Sequence, residues 1–345
     1  MARKILWGAL ALTPLVVLAR FAFGAGDTVL FALAAFALVP LAWLIGEATE
    51  HAAEHTGAGI GGFLNASFGN APELIIALLA VREGLPDVVR GSITGSVVSN
   101  ILLVLGFAMI FGGEGEVDRR SLVLQLGIVF FAVALFLVPS VPGWTGDPNT
   151  HGLALVSIPV AVVLLAVYVV VTLSNLRVHR LAPRAEAATG AWTLPVSLVV
   201  LGAATLATAI VSEVLVHSLQ GFGESAGLSD FFISAVIVAI VGNAAEHGGA
   251  VVIAHRGNTR LATEIAVASS AQVAVFVAPA IGLLSWLVGD ALALSFRPIE
   301  ILTIGLSAIG VAFVVADGRS KRWEGFMLVG VYAAVALGYL ASGDR

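Results

Sequence analysis

The feature that most limits what this chain can become is a succession of apolar stretches, each about 17–30 residues long, cut by short clusters of Gly, Pro and charge. They lie near 5–23, 28–50, 60–82, 88–111, 121–140, 152–174, 193–218, 229–255, 261–288, 297–316 and 323–341. A helix of about 20 residues spans the hydrocarbon core of a bilayer. With 59% hydrophobic and only 11% charged residues, the chain has far more apolar side chains than a soluble core could bury. The expected fold is therefore all-α, a polytopic membrane protein of about eleven transmembrane helices. The net charge of −5 argues against a nucleic-acid partner. The absence of Cys removes disulfides, thiolate chemistry and soft metal sites. Residues 5–23 are long enough to span and show no small-residue cleavage pattern, so the first helix is expected to stay.

Inside this apolar sequence one polar element is written twice. Gly69-Asn70-Ala71-Pro72-Glu73 recurs 173 residues later as Gly242-Asn243-Ala244-Ala245-Glu246, followed by His247. A carboxylate at mid-membrane depth costs about 2.5–3.5 kcal/mol on insertion scales, so its duplication marks a site built from two halves. The same offset carries Ser96 and Ser99 onto Ser269 and Gln272 in the following span. At another offset, Glu47 and His51 match Glu213 and His217. The expected organisation is an extra N-terminal helix (1–27), a five-helix repeat (28–174), a polar cytoplasmic linker (175–192) and a second five-helix repeat (193–345). Five is an odd number, so the second copy must run with inverted topology, an arrangement typical of secondary transporters. Counting Lys and Arg gives 12 on one side and 5 on the other. This bias places the N-terminus inside and the C-terminus outside. Trp144, Trp192, Trp286 and Trp323 fall near span ends, where interface anchors are expected.

The site chemistry follows from residue types. Asn70 and Glu73, like Asn243 and Glu246, are three apart and share a helical face. Gly69 and Gly242 permit close approach of another helix or an ion. Pro72 is expected to free backbone carbonyls near Glu73, while the second copy has Ala245 there. Ser92, Ser96 and Ser99 stripe the fourth span, and Ser269, Ser270 and Gln272 cluster on the ninth. Carboxylate, amide and hydroxyl oxygens make a hard site suited to Ca²⁺ as a transported substrate. Two like charges in a low-dielectric core cannot both stay ionised without a counter-charge. The pair can thus hold one divalent cation or protons, which is exchange chemistry in outline.

These motifs resemble the two alpha-repeats of the Ca²⁺/cation antiporter superfamily. The Gly-Asn-x-x-Glu spelling, with His after the second Glu, resembles its Ca²⁺/H⁺ exchanger (CAX) branch. Pro72 faintly echoes the Na⁺/Ca²⁺ branch. The resemblance covers about residues 29–340. It implies eleven spans and no cofactor, with Glu73 and Glu246 as the central Ca²⁺/H⁺ carboxylates. Asn70, Asn243, Ser96, Ser99, Ser269 and Gln272 would be the nearby oxygen donors. It also implies alternating access by sliding of a peripheral helix bundle. The long acidic linker helix of some eukaryotic relatives is missing.

Plainer readings stand beside these. The Asn and Ser side chains could be ordinary interhelical hydrogen bonders. His247 lies about 100° around the helix from Glu246, which suits a proton-relay or gating residue but also a packing histidine. Glu47 and Glu50, with His51, Glu54 and His55, form either a solvated helix end or a cation-attracting entrance vestibule, with Glu213 their counterpart in the second copy. Gly57–Gly62 has no P-loop lysine beside it, which argues against phosphate binding. The leading expectation is a Ca²⁺/H⁺ antiporter rather than an enzyme, with Ca²⁺, H⁺ and the lipid bilayer as its partners and oligomerisation left open. A prokaryotic inner membrane fits two Lys against fifteen Arg. The alternative is Na⁺ coupling, or another divalent cation, on the same fold. An intramembrane protease would need Asp in its motifs, and all eight Asp lie in loops or at span ends. A channel would favour a symmetric ring over an internal repeat.

Overall fold

The structure is a computed structural model that describes residues 2–179 and 192–344. Its helices in chain order are α1 (Arg3–Phe21, with a turn at Leu10–Ala11), α2 (Asp27–Phe68), α3 (Ala71–Arg82), α4 (Pro86–Gly112), α5 (Arg119–Gly143) and α6 (His151–His179). The second half holds α7 (Leu194–Ala226), α8 (Asp230–Gly242), α9 (Ala244–His255), α10 (Thr259–Val288), α11 (Pro298–Val314) and α12 (Arg322–Ser342). Among the described residues nine helices are long and apolar enough to cross a membrane, and α8 with α9, bent by 57°, makes a tenth. The protein is an all-α polytopic membrane protein.

The expected third span, 60–82, takes a different form. Helix α2 runs 42 residues through the polar stretch after residue 50 and ends at Phe68. Only the twelve residues of α3 follow the break. Hydropathy marks Glu50 to His55 as a loop, yet Glu47, His51 and Glu54 sit at helical spacing. His51 stands 3.7 Å from Glu47 and 3.8 Å from Glu54, contacts that support a helix rather than a turn. Helix α2 does not run straight, because Phe68 near its end packs with the cluster of Leu44, Ile45, Ala48, Leu201 and Ala204. Helix α6 likewise runs past the expected end at 174, and the rest of the linker, 180–191 with Arg180, Arg184 and Glu186, lies outside the described residues.

The duplicated sequence is duplicated backbone. Helices α3 and α9 each have twelve residues and start 173 positions apart. Asn70 (φ −92°, ψ 12°) and Asn243 (φ −92°, ψ 10°) have the same conformation. So do Leu85 (φ −108°, ψ 63°) and Asn258 (φ −102°, ψ 63°), which precede α4 and α10. Gly84 and Gly257 both adopt positive φ in the intervening turn, where a side chain would be strained. A π-helical turn interrupts α4 at Ser99–Val104 and α10 at Val273–Val277. The copies differ before the site: α2 is continuous, whereas α7 ends at left-handed Gly227 and α8 starts afresh at Asp230.

Contacts between chain segments sort the helix ends onto two sides. On one side Arg3 pairs with Glu47, and His55 bonds the Trp192 carbonyl. Asp118 and Arg260 pair there as well, and Gly115–Glu116 forms an antiparallel ribbon with Arg319–Ser320. On the other side Asp27 packs on Gly221, Asp344 accepts from the Phe231 amide, and Arg90 donates to the Ala293 carbonyl and Asn149. This grouping matches the alternation expected from Lys and Arg. Trp323 is exposed as an anchor would be, but Trp192 packs on His51 and Trp7 instead.

Candidate cation site

Helices α3 and α9 begin inside the protein, each with its glutamate in the first turn. A helix N-terminus stabilises a carboxylate by about 0.3–1 kcal/mol, and by up to about 2 kcal/mol where it is partly buried. Each break is held by its asparagine. Asn243 Nδ2 donates to the Ala239 carbonyl (2.8 Å), which also accepts from the Asn243 amide (3.3 Å). The Asn70 and Asn243 carbonyls accept from Leu74 and His247 and so start the next helix. Because Pro72 and Ala245 occupy matching positions in matching backbones, the break does not require proline.

The two copies interlock through α4 and α10. Asn70 Nδ2 donates to Gln272 Oε1 (3.0 Å), and Asn243 Nδ2 donates to Ser96 Oγ (2.8 Å). Each asparagine thus reaches the neighbouring helix of the other copy. Ser269 Oγ donates to Glu246 Oε2. Glu73 packs against Gly242, where an added Cβ would stand 3.4 Å from the glutamate Cγ. Ser92, Ser96, Val238 and Gly242 line the small cavity beside Glu73. Glu73 is 9% exposed, and neither of its buried carboxylate oxygens has a hydrogen-bond partner. A charged carboxylate left so would cost several kcal/mol, so these oxygens need a cation or a proton. Among the described residues no three His, Asp or Glu gather in metal-binding geometry. A divalent ion here would take the two carboxylates plus neutral oxygens.

The structure therefore brings together Glu73, Glu246, Asn70, Asn243, Ser96, Ser269 and Gln272. Ser99 is buried nearby but turns its hydroxyl to the Ser96 carbonyl, and Ser270 bonds the Val97 carbonyl across the α4–α10 contact. The vestibule candidates are not gathered. Glu47 is tied to Arg3, Glu50 is exposed on the same helix, and Glu213 is exposed toward the opposite end of α7. Helices α2 and α7 run antiparallel, with Phe31 stacked on Phe222 at one end and His55 bonding the Trp192 carbonyl at the other.

One residue was missed. Asn100 is 1% exposed, and its Nδ2 donates to Asn243 Oδ1 (3.3 Å) and Ser269 Oγ (3.0 Å), while its Oδ1 lies 3.1 Å from His247 Nε2. It links α4 to both halves of the second copy's motif. The repeat offset pairs it with Val273, so a search for duplicated polar residues passes over it. The surviving signal was a buried-type amide next to Ser99 in an apolar run. His247, placed by Asn100, belongs to this network.

Broken helices that each carry a buried or part-buried glutamate in the first turn after the break, in two copies of one backbone pattern, define a secondary transporter of the cation-exchanger type. The sequence agrees: the sodium/calcium exchanger protein family matches residues 27–177 and 196–340, and the chain belongs to it. A Ca²⁺/H⁺ antiporter of Synechocystis sp. is 35% identical over 97% of this chain and 97% of its own. The Ca²⁺/H⁺ antiporter ChaA of Bacillus subtilis is 37% identical over 91% of this chain and 92% of its own. The structure of native YfkE superposes with a TM-score of 0.84 at 33% identity, covering 98% of this chain and 99% of that one. An H⁺/Ca²⁺ exchanger CAX crystal structure shares the fold at 16% identity (TM-score 0.73, covering 98% and 92%).

Proposed function

We propose that this chain is a secondary antiporter that exchanges Ca²⁺ for H⁺, with Glu73 and Glu246 as the shared binding groups. The observation that carries the reading is the pair of unpartnered Glu73 oxygens, placed against Gly242 at the head of the second broken helix. Ca²⁺ is substrate here, not a resident cofactor. With both glutamates ionised, Ca²⁺ replaces the missing partners of Glu73. It draws further oxygens from Glu246, from the Ser96 and Ser269 hydroxyls and from the Asn and Gln amides, toward the six to eight that it prefers. Protonation of the carboxylates releases the ion and removes the charge cost of moving the site past the bilayer core. The relatives named Ca²⁺/H⁺ antiporters support this cargo. No bond of the cargo is made or broken, so the protein is a transporter and not an enzyme. The reading places it in a prokaryotic cell membrane with the N-terminus and the Arg119, Arg260 and Arg319 side facing the cytoplasm.

Purified protein in vesicles tests the coupling. A pH gradient alone is expected to drive Ca²⁺ flux, and a Na⁺ gradient alone is not. Flux driven only by Na⁺ would keep the fold and the two glutamates but overturn the proton mechanism.

A further inference from the structure

Glu73 and Glu246 receive unequal help from the serine in the helix that follows each motif. Ser269 of α10 donates to Glu246. Ser96, its counterpart in the repeat, accepts from Asn243 instead, and the Glu73 oxygens are left without a hydrogen-bond partner. Other oxygens around the pair are partly engaged as well. Gln272 Oε1 accepts from Asn70, and Asn243 Oδ1 accepts from Asn100, so each has one lone pair fewer for an ion. A Ca²⁺ at Glu73 prefers six to eight oxygens and needs a further donor.

The cavity beside Glu73 shows where that donor stands. Its wall is apolar at Ile76, Ile93, Val238 and Ile281, and the hydroxyl side chains on it are those of Ser92 and Ser96. These two lie four residues apart on α4, a rise of about 6 Å, with Ser92 toward the Arg90 side. Ser92 Oγ donates its proton to the Val89 carbonyl (2.9 Å). What it can still offer is lone pairs, the half of a hydroxyl that binds a cation. Helix packing does not call for a serine here. The repeat offset puts Ile265 at the matching position of α10, where that larger apolar side chain is part-buried too.

We propose that Ser92 is a further oxygen ligand of the cation at Glu73, supplying on the Arg90 side what Ser96 gives up to Asn243. The inference rests on the transporter reading above and deepens it. An ion held by Glu73 without Ser92 would face only hydrocarbon toward Ile93 and Ile281. With Ser92 it keeps a hard oxygen there as its hydration water is stripped away. Ile265 gives Glu246 nothing comparable. The first copy thus meets the ion with an extra hydroxyl, and the second with a serine bonded to its own glutamate.

Equilibrium binding of Ca²⁺ and of Cd²⁺ to purified protein in detergent tests this. Ser92→Ala is expected to weaken Ca²⁺ binding by about three- to tenfold, the worth of one polar contact, with an unchanged melting temperature. Ser92→Cys puts a thiol into a chain that otherwise has none. Sulfur is a soft ligand, so Ca²⁺ should weaken while Cd²⁺ tightens. Ser225→Cys, at an exposed position near the end of α7, should change neither. A packing role for Ser92 would move both ions together. Such a parallel shift, or unchanged binding in Ser92→Ala and Ser92→Cys, overturns the proposal. Equal Cd²⁺ tightening in Ser225→Cys overturns it too, since any thiol would then serve. If the wild-type protein binds no Ca²⁺, the transporter reading falls and this inference falls with it.

Discussion

The two halves of the site share a backbone and differ in what surrounds it. At Asn70 and Asn243 the dihedral angles agree to within two degrees, yet Glu73 is buried without a partner while part-buried Glu246 accepts from Ser269. Asn100 and His247 stand around the second motif and have no counterparts around the first. Duplication fixes the local chain path, and the packing of α4 and α10 then gives each copy its own state. One sequence pattern thus yields a satisfied carboxylate and an unsatisfied one.

The largest test of this comparison removes one charge at a time. Glu73→Gln and Glu246→Gln are each expected to bring Ca²⁺ exchange down to that of protein-free vesicles, with unaltered gel-filtration behaviour. If Glu246→Gln alone retained transport, the second copy would be a structural partner only. Next, Asn100→Ala leaves Asn243 and Ser269 short of a buried donor and His247 short of its contact. Such losses cost about 1–3 kcal/mol each, so Ca²⁺ affinity in an equilibrium binding assay should weaken about tenfold.

A third pair of variants sets the close Gly95–Ala235 contact against the matching position of the second copy. Gly95→Val forces a side chain into the Ala235 backbone, an overpacking that costs about 1–3 kcal/mol, and should lower the melting temperature in detergent. Ala268→Val, its repeat counterpart, sits at a part-exposed position and should lower it less. The smallest effect is expected from Pro72→Ala. Pro72 lies in the first turn of α3, where a missing N–H costs nothing. Transport should change by less than about twofold, because losing proline there alters mainly the unfolded chain. A large loss would return the break to proline and contradict the role given to the asparagines.

Much of this was legible in the sequence. Apolar length gave the membrane fold, and the repeated Gly-Asn-x-x-Glu gave the centre of the site with the correct offset. Ser96, Ser269 and Gln272 followed from that same offset and do meet the motif residues. Three features were not legible. Hydropathy cannot tell a polar helix from a loop, so Glu50 to His55 marked a false end within α2. Asn100 contributes through contacts that the repeat does not duplicate. Pro72 looked like the cause of the break because local rules give proline priority, whereas the second copy breaks with the same backbone angles and Ala245 at the matching position. Glu47 and Glu213 matched as sequence, but antiparallel packing of α2 and α7 separates them.

The most direct test of the central claim, that the two glutamates are shared by Ca²⁺ and H⁺, is Ca²⁺ binding to purified protein across a pH series. Ca²⁺ needs the ionised carboxylates, so affinity should fall as pH falls, with proton release on binding. Both effects should shrink in Glu73→Gln and vanish when Glu246→Gln is added. Wild-type affinity that stays constant with pH, or proton release that persists in the double variant, would contradict the account.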